Sequence, residues 1–421
     1  MKRIVNCLGK LVLSIAAGMM LLIMVYALPV APMKANVARS SEVFNYEGTY
    51  PQITYGYKYM QLDGCTDSIM LGGAIFEGGG TGIIDRAVNN YHYDCFELSP
   101  VLALTNYANE VERDYVPIGY GRYWHGYLVP LKLLLLFFDY SDIRILNFFF
   151  QNFLLYLVLR GLYKNRLQRY VPAFLVAVFT VNPLTAALSL QFSTVYDIIL
   201  ISAIYILWLS AKGTLTEEKA GSAFLWTGIA TAYFDFLTYP LASFGILLIL
   251  YFLLEKKAGN GIRIKMILKT GMLWAFGYFG MWSGKWLAGS VLLKRNMFED
   301  AWDNVLIRTS VQSASPGVSG RFLAVYKNIS VFMKWPFLLA FLLIAGYYLI
   351  QFRKLTFEKL RCQKAAIAAF LTTAFLPVGW MLGMANHTAE HYWFTHKLFS
   401  VSVFALLSLG IYLLSDSETK T

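Results

Sequence analysis

Long apolar runs recur along the chain, separated by short polar or basic turns. The first extends from Leu11 to Val30, behind the basic start MKRIVNCLGK. Others occupy 143–162, 172–190, 196–211, 222–239, 240–254, 266–290, 335–352, 365–384 and 397–414. Each is close to the roughly 20 residues of helix that span a bilayer core. The pattern predicts an all-α, polytopic transmembrane helix bundle of about ten spans, one membrane domain over residues 1–421. No small-residue cleavage site follows the first run, so it is expected to be a retained helix with its N-terminus in the cytoplasm.

One apolar segment, 122–138, begins RYWHGYLVPL and resists simple threading. If it crossed the membrane, the basic turn 160–170 would lie outside. If it lies on the outer leaflet as an interfacial or re-entrant helix, that turn falls inside, with the basic turns at 256–269 and 353–364. The positive-inside rule favours the second threading, with both termini cytoplasmic. The turns at 191–197, 235–240 and 385–396, which hold no Lys or Arg, then fall outside, with long outer loops at 31–142 and 291–334. In FDFLTYPL (234–241), Asp235 marks an outer turn, and Pro240 opens the next helix, where its missing N–H costs little.

Composition supports a membrane class. Hydrophobic residues make up 57% of the 421, charged residues only 14%, and mean hydropathy is +0.51. The net charge of +11 sits mostly in short runs between apolar segments, and no basic, aromatic-interleaved module points to nucleic acid. The sequence has no P-loop or GxGxxG. Cys7, Cys65, Cys95 and Cys362 form no zinc spacing. Cys65 and Cys95 share the first outer loop; a disulfide there would add on the order of 3 kcal/mol, and two free thiols are the alternative.

Acidic and basic residues collect on the outer face. In LDGCTDSIMLGGAIFEGGG (62–80), Asp63 and Asp67 flank Cys65. Thr66 or Asp67 can cap a short helix over 68–76, or one carboxylate can act as general base toward a hydroxyl acceptor. In FDYSDIRILN (138–147), Ser141 or Asp142 is placed to cap a helix starting near Ile143. Asp197 in QFSTVYD is expected at the outer start of a span, as a cap or a site residue. Loop 291–334 sets Lys294, Arg295, Arg308, Arg321, Lys327 and Lys334 against three acids, a set suited to an anionic lipid or phosphate. Lys285 in WSGKW adds another cation. NHTAEHYWFTHKLFSV (386–401) holds His387, His391, His396 and Lys397, either interface anchors or phosphate ligands. The five-residue step from His391 to His396 argues against zinc.

The order TDSIML, RYWHGYLVPL, IRILNFFFQNFLLYLVLRGLYKNR and PAFLVAVFTVNPLTAALSLQFSTVYD resembles the GT-C superfamily of membrane glycosyltransferases. That superfamily includes protein O-mannosyltransferases and lipid A aminoarabinose transferases. The resemblance is one of layout over roughly residues 1–210. It implies a sugar moved from a polyprenyl-phosphate donor to a glycan, lipid or protein acceptor of the cell envelope by single displacement. Asp67 would be the catalytic base with Asp63 its rival, and Asp197 the second-loop carboxylate. His125 and Trp124 would line the site near the juxtamembrane helix. Asp235, Lys285, Arg295, Arg308, His391 and Lys397 would bind substrate. Some branches of the superfamily use a divalent metal and others none. Asp67 lies further past the first span than is usual. The alternatives are a transporter or flippase of lipid-linked sugars, or a non-catalytic relative.

Overall fold

The computed structural model describes residues 2–311, 318–353 and 355–415. The chain opens with α1 (Lys2–Tyr26) and then builds a compact region of short elements: α2 (Val30–Arg39), α3 (Ser41–Glu47), α4 (Gly64–Ala74), α5 (Ile83–Asn89) and α6 (Pro100–Ala108). An antiparallel pair, β1 (His92–Asp94) with β2 (Val116–Ile118), registers Tyr93 against Pro117. The region closes with α7 (Leu128–Leu135). The long helices follow: α8 (Tyr140–Lys164), α9 (Val171–Val181), α10 (Pro183–Leu188), α11 (Leu190–Ala211), α12 (Glu217–Phe234), α13 (Leu241–Lys257) and α14 (Ile264–Leu293). Loop 291–334 carries α15 (Phe298–Thr309) and α16 (Val318–Ser330). After it come α17 (Trp335–Phe352), α18 (Phe357–Cys362), α19 (Lys364–Gly383), α20 (Ala385–Glu390), α21 (Tyr392–Thr395) and α22 (Phe399–Ser415).

Among the described residues, six helices are long and apolar enough to cross a membrane. They are 4–26, 140–164, 190–211, 335–352, 364–383 and 392–414. Their outward faces are apolar: α8 exposes Phe148, Phe149, Phe150 and Phe153, and α17 buries none of its residues. Such a surface suits lipid rather than water. At the centre, α13 is apolar on all sides and almost wholly buried. Helices α12 and α14 meet backbone to backbone because Gly228 and Gly277 lie at the crossing. A Cβ on Gly228 would stand 2.1 Å from the Trp274 carbonyl, and one on Gly277 2.5 Å from that of Leu225.

Three sequence expectations are corrected. The run 172–190 is not one helix: α9 stops at Val181, and Asn182 turns to a left-handed φ of 63° ahead of Pro183. Proline disfavours the α conformation in the residue before it, and Asn tolerates the left-handed one. Helix α11 therefore starts at Leu190, which puts Asp197 two turns inside it rather than at its start. Segment 122–138 forms the eight-residue α7, with Leu128, Leu131, Lys132 and Leu135 buried against the rest of the fold. Its length of about 12 Å at 1.5 Å per residue excludes a crossing. Finally, Asp139, not Ser141 or Asp142, is the N-cap of α8, in a capping box with Asp142. Cys65 and Cys95 are both free thiols.

Candidate functional site

Most of the charges singled out in the sequence are built into helix ends. Asp63 caps α4, its Oδ1 accepting from the Thr66 amide at 2.9 Å; burial pushes its pKa up to about 6. This is the cap expected of Thr66 or Asp67. Asp67 is fully buried and accepts four hydrogen bonds. They come from the Tyr140 hydroxyl (2.6 Å), Ser189 Oγ (3.2 Å) and the amides of Leu190 (2.9 Å) and Gln191 (3.0 Å). Its carboxylate thus serves the N-terminus of α11, where the helix dipole favours an anion. Burial raises its pKa, against the pull of Tyr140 and Arg144. Arg144 extends the chain, donating to Tyr140 at 2.8 Å and, by a two-pronged contact, to Glu47 at 2.7 and 2.8 Å. No lone pair of Asp67 is left for a substrate hydroxyl in this arrangement.

Three buried lysines act at the opposite helix ends. Lys132 donates to Ala74 O at the end of α4 (2.5 Å), and burial lowers its pKa to about 7. Lys285 donates to Val88 O near the end of α5 (2.8 Å) and lies over the Trp124 ring. Lys397 donates to Val181 O at the end of α9 (2.6 Å) and to Thr185 Oγ1 (2.8 Å). Arg295 is held by Asn89. Lysine at a helix C-terminus satisfies orphan carbonyls and the dipole together.

His125 and Trp124 are likewise tied inward. His125 donates from Nε2 to the Tyr120 carbonyl (2.7 Å), so its Nδ1 accepts from Tyr127 (2.9 Å); burial holds its pKa near 3 and the ring neutral. Trp124 donates to Met281 O at 2.7 Å. Gly126 lets this strand of chain press against α12, because a Cβ there would stand 2.3 Å from the Tyr233 ring.

Asp235 folds the turn ahead of α13. It accepts from the amides of Leu237 and Thr238, both at 3.1 Å, and from the Thr238 hydroxyl, while burial pushes its pKa up to about 6. The turn forces Leu237 to a φ of 80°, a strained value for leucine. Its carbonyl thereby reaches His387 Nε2, which donates to it at 2.6 Å.

Two sequence-predicted residues do meet at an accessible site. Arg308, at the end of α15, donates to His391 Nε2 (3.0 Å) and His387 Nδ1 (3.2 Å), with Glu390 at 3.9 Å. Burial and then Arg308 lower the His391 pKa to about 4; His387 is held well below the usual value by burial, His391 and Arg308. Both rings are neutral near pH 7 and accept from the guanidinium. Beside Arg308 lies a narrow cleft of about 20 Å³, lined by Arg122, Tyr123, Trp282, Trp286, Asn304 and Leu237. Arg122 stands 3.8 Å from Asp300 and over the Tyr120 ring. Three buried N–H groups here lack an acceptor within the chain: Arg122 Nε, Trp282 Nε1 and His391 Nδ1. Buried donors without acceptors are costly, so this site demands oxygen acceptors.

A groove of about 960 Å³ runs along α19 toward the same place. Leu371, Phe375, Leu376 and Trp380 line it, with Thr309, next to Arg308, and Met384, which also borders the cleft. Gly379 and Gly383 keep it open, with nothing within 4 Å of the space a Cβ would take. Sequence reasoning singled out Lys285 in WSGKW but passed over Trp282 and Trp286, whose four-residue spacing puts them on one face of α14. It also missed Arg122, at the head of RYWHGY. Asp63, Asp67, Asp197, Lys285, Arg295 and Lys397 are not among the lining residues of this cleft or groove. Among the described residues, no group of three or more His, Cys, Asp or Glu side chains forms a metal site. The chain matches no family model, and no curated protein or solved structure matches it either.

Proposed function

We propose that the protein is a membrane glycosyltransferase that takes its sugar from a polyprenyl-phosphate donor at the outer face of the plasma membrane. One observation carries this reading: an apolar groove along α19 leads to a guanidinium, Arg308, beside a tryptophan-lined cleft whose spare groups are all donors. The isoprenoid chain lies in the groove, the phosphate meets Arg308, and the sugar enters the cleft that Trp282 and Trp286 line. Aromatic faces and N–H donors suit a sugar ring and its hydroxyls. The cleft is narrow, so sugar entry requires α15 to move away from α14.

In this reading the broken pair α9 and α10, taken together as one crossing, and α12, α13 and α14 join the six long apolar helices to make ten crossings, with both termini cytoplasmic. A carboxylate takes the proton of an acceptor hydroxyl, the oxygen bonds to the anomeric carbon, and the bond to phosphate breaks. The polyprenyl phosphate leaves with its charge held by Arg308. Glu390 beside Arg308 and Asp300 beside Arg122 are the carboxylates at the site; Asp67, sealed under α11, positions the fold instead. A second reading, binding or flipping of a lipid-linked sugar without transfer, is favoured by the engagement of Asp63 and Asp67 in helix ends.

The test is a panel of polyprenyl-phosphate sugars offered, with envelope extract as acceptor source, to the protein in nanodiscs. Release of sugar from the lipid by wild type, lost in Arg308→Gln, supports transfer. Binding to wild type without release supports the second reading. Neither binding nor release overturns both.

A further inference from the structure

Loop 291–334 leaves two rows of large apolar side chains uncovered. On α15, Phe298, Trp302 and Leu306 are 41, 59 and 52% exposed; on α16, Phe322, Tyr326 and Ile329 are 62, 56 and 40% exposed. Each row keeps the three- or four-residue step of one helix face. Ala301 and Ala324, 2 and 0% exposed, mark the inner faces of the same helices, so neither row belongs to the packing of the loop.

The inner faces are tied to the site. Helix α15 gives Ala301, Asn304, Val305 and Arg308 to the cleft. At roughly 100° per residue, its apolar row lies about a third of a turn from that wall, and Glu299, Asp300 and Asp303 take the side beyond. Ile307 alone breaks this division. On α16, Arg321 donates to Leu382 O (2.5 Å) near the end of α19, and Asn328 Nδ2 to Thr388 O (2.9 Å) on α20. Its apolar row again stands roughly a third of a turn away.

Such rows are poorly suited to water, and neither helix can cross a bilayer. Helices α15 and α16 have 12 and 13 residues, short of the roughly 20 that a span needs. A short helix with an apolar row beside a charged side lies in the plane of a membrane surface. The rows also adjoin the surface already suited to lipid. Helix α14 exposes Leu287 and Val291 just before α15 begins, and exposed Met333 and Trp335 lead from the α16 row into α17, which buries none of its residues. Trp302 and Tyr326 are the residue types that settle at headgroup depth. We propose that α15 and α16 lie along the bilayer on the side of loop 291–334, with both rows seated in its headgroup–acyl boundary. One wall of the Arg308 cleft is then held in place by lipid. The inference stands on the membrane class and these two helices, and needs no sugar transfer.

The experiment uses the full chain in nanodiscs of phosphatidylcholine and phosphatidylglycerol. Benzoylphenylalanine replaces Trp302, Tyr326, Asp303 or Phe341, one at a time. Phe341, exposed on α17, is the lipid-facing reference, and Asp303 reports the charged side of α15. After illumination, adducts are identified by mass spectrometry. Phospholipid adducts are expected at positions 302 and 326 in yields comparable to that at 341, and at position 303 in a yield several-fold lower. All four side chains are exposed, so the replacements leave the fold intact, and the two helices give independent readings. A phospholipid yield at 302 or 326 no higher than at 303 would overturn the seating of that helix. Crosslinks from 302 or 326 to a second copy of the chain, in place of lipid, would overturn the proposal and assign the rows to an interface between copies.

Discussion

Lys397 donates to the carbonyl of Val181, 216 residues earlier in the chain, at 2.6 Å. The bond closes the end of α9 where the helix breaks, and Asp67 closes the start of α11 on the other side of the break. Replacing Lys397 by Met keeps most of the side-chain volume but leaves Val181 O and Thr185 without their buried partner. The expected loss is about 1–3 kcal/mol of stability, read as a lower unfolding midpoint in detergent.

Asp67→Asn tests whether that carboxylate serves the fold or the chemistry. An amide in its place must point its NH2 at a donor, either the Tyr140 hydroxyl or an α11 amide. A penalty of about 2–4 kcal/mol is expected, with poor recovery of folded protein. A well-folded but inactive Asp67→Asn variant would restore Asp67 as the catalytic base.

Arg308→Gln and Gly379→Leu separate the two halves of the donor site. Arg308 has two histidines and Glu390 for neighbours, and glutamine in its place keeps an N–H donor for the histidines while losing the charge. Donor affinity should fall about tenfold to a hundredfold, since a charge-assisted phosphate contact is worth roughly 1.5–3 kcal/mol. Gly379 borders open space, so leucine there should leave the unfolding midpoint unchanged while excluding the isoprenoid chain. Equal binding of a long-chain donor by wild type and Gly379→Leu would remove the groove from the site.

Asp63 sets an acid-side pH dependence. Its folded pKa of about 6 lies above the usual carboxylate value of 3.8 because of burial. Between those values the folded protein holds more protons than the unfolded chain, so stability falls as pH rises from about 4 to about 6. Asp63→Asn keeps a good N-cap and should make that part of the profile shallower, with Asp235, also pushed up to about 6 by burial, supplying a parallel share of the slope that remains; the measurement is unfolding midpoint against pH.

The long apolar helices were legible because burial in lipid imposes a run of about 20 residues that few other structures share. The break at Asn182 was less so: Asn-Pro marks it, but the surrounding apolar residues carry the run straight through. Site assignment suffered from a different ambiguity. A carboxylate beside a helix start looks alike in sequence whether it caps its own helix, as Asp63 does, or another helix more than a hundred residues on, as Asp67 does. Buried lysines mislead in the same way, because Lys285 and Lys397 meet backbone carbonyls that leave no mark in sequence. Arg308 and His391 were legible as chemistry, but their meeting depends on the strained turn at Leu237 and the path of α15.

The bond between Lys397 and Val181 also constrains how the protein is made. At roughly 5–20 residues per second, synthesis reaches Lys397 on the order of 10–45 s after Val181. Throughout that interval the carbonyl end of α9 must be sheltered by water, lipid headgroups or the insertion machinery. The short turn ahead of α22 is thus the piece that completes a joint laid down early, and a ribosome stalled before residue 397 would expose a nascent chain whose first half is threaded but unlatched.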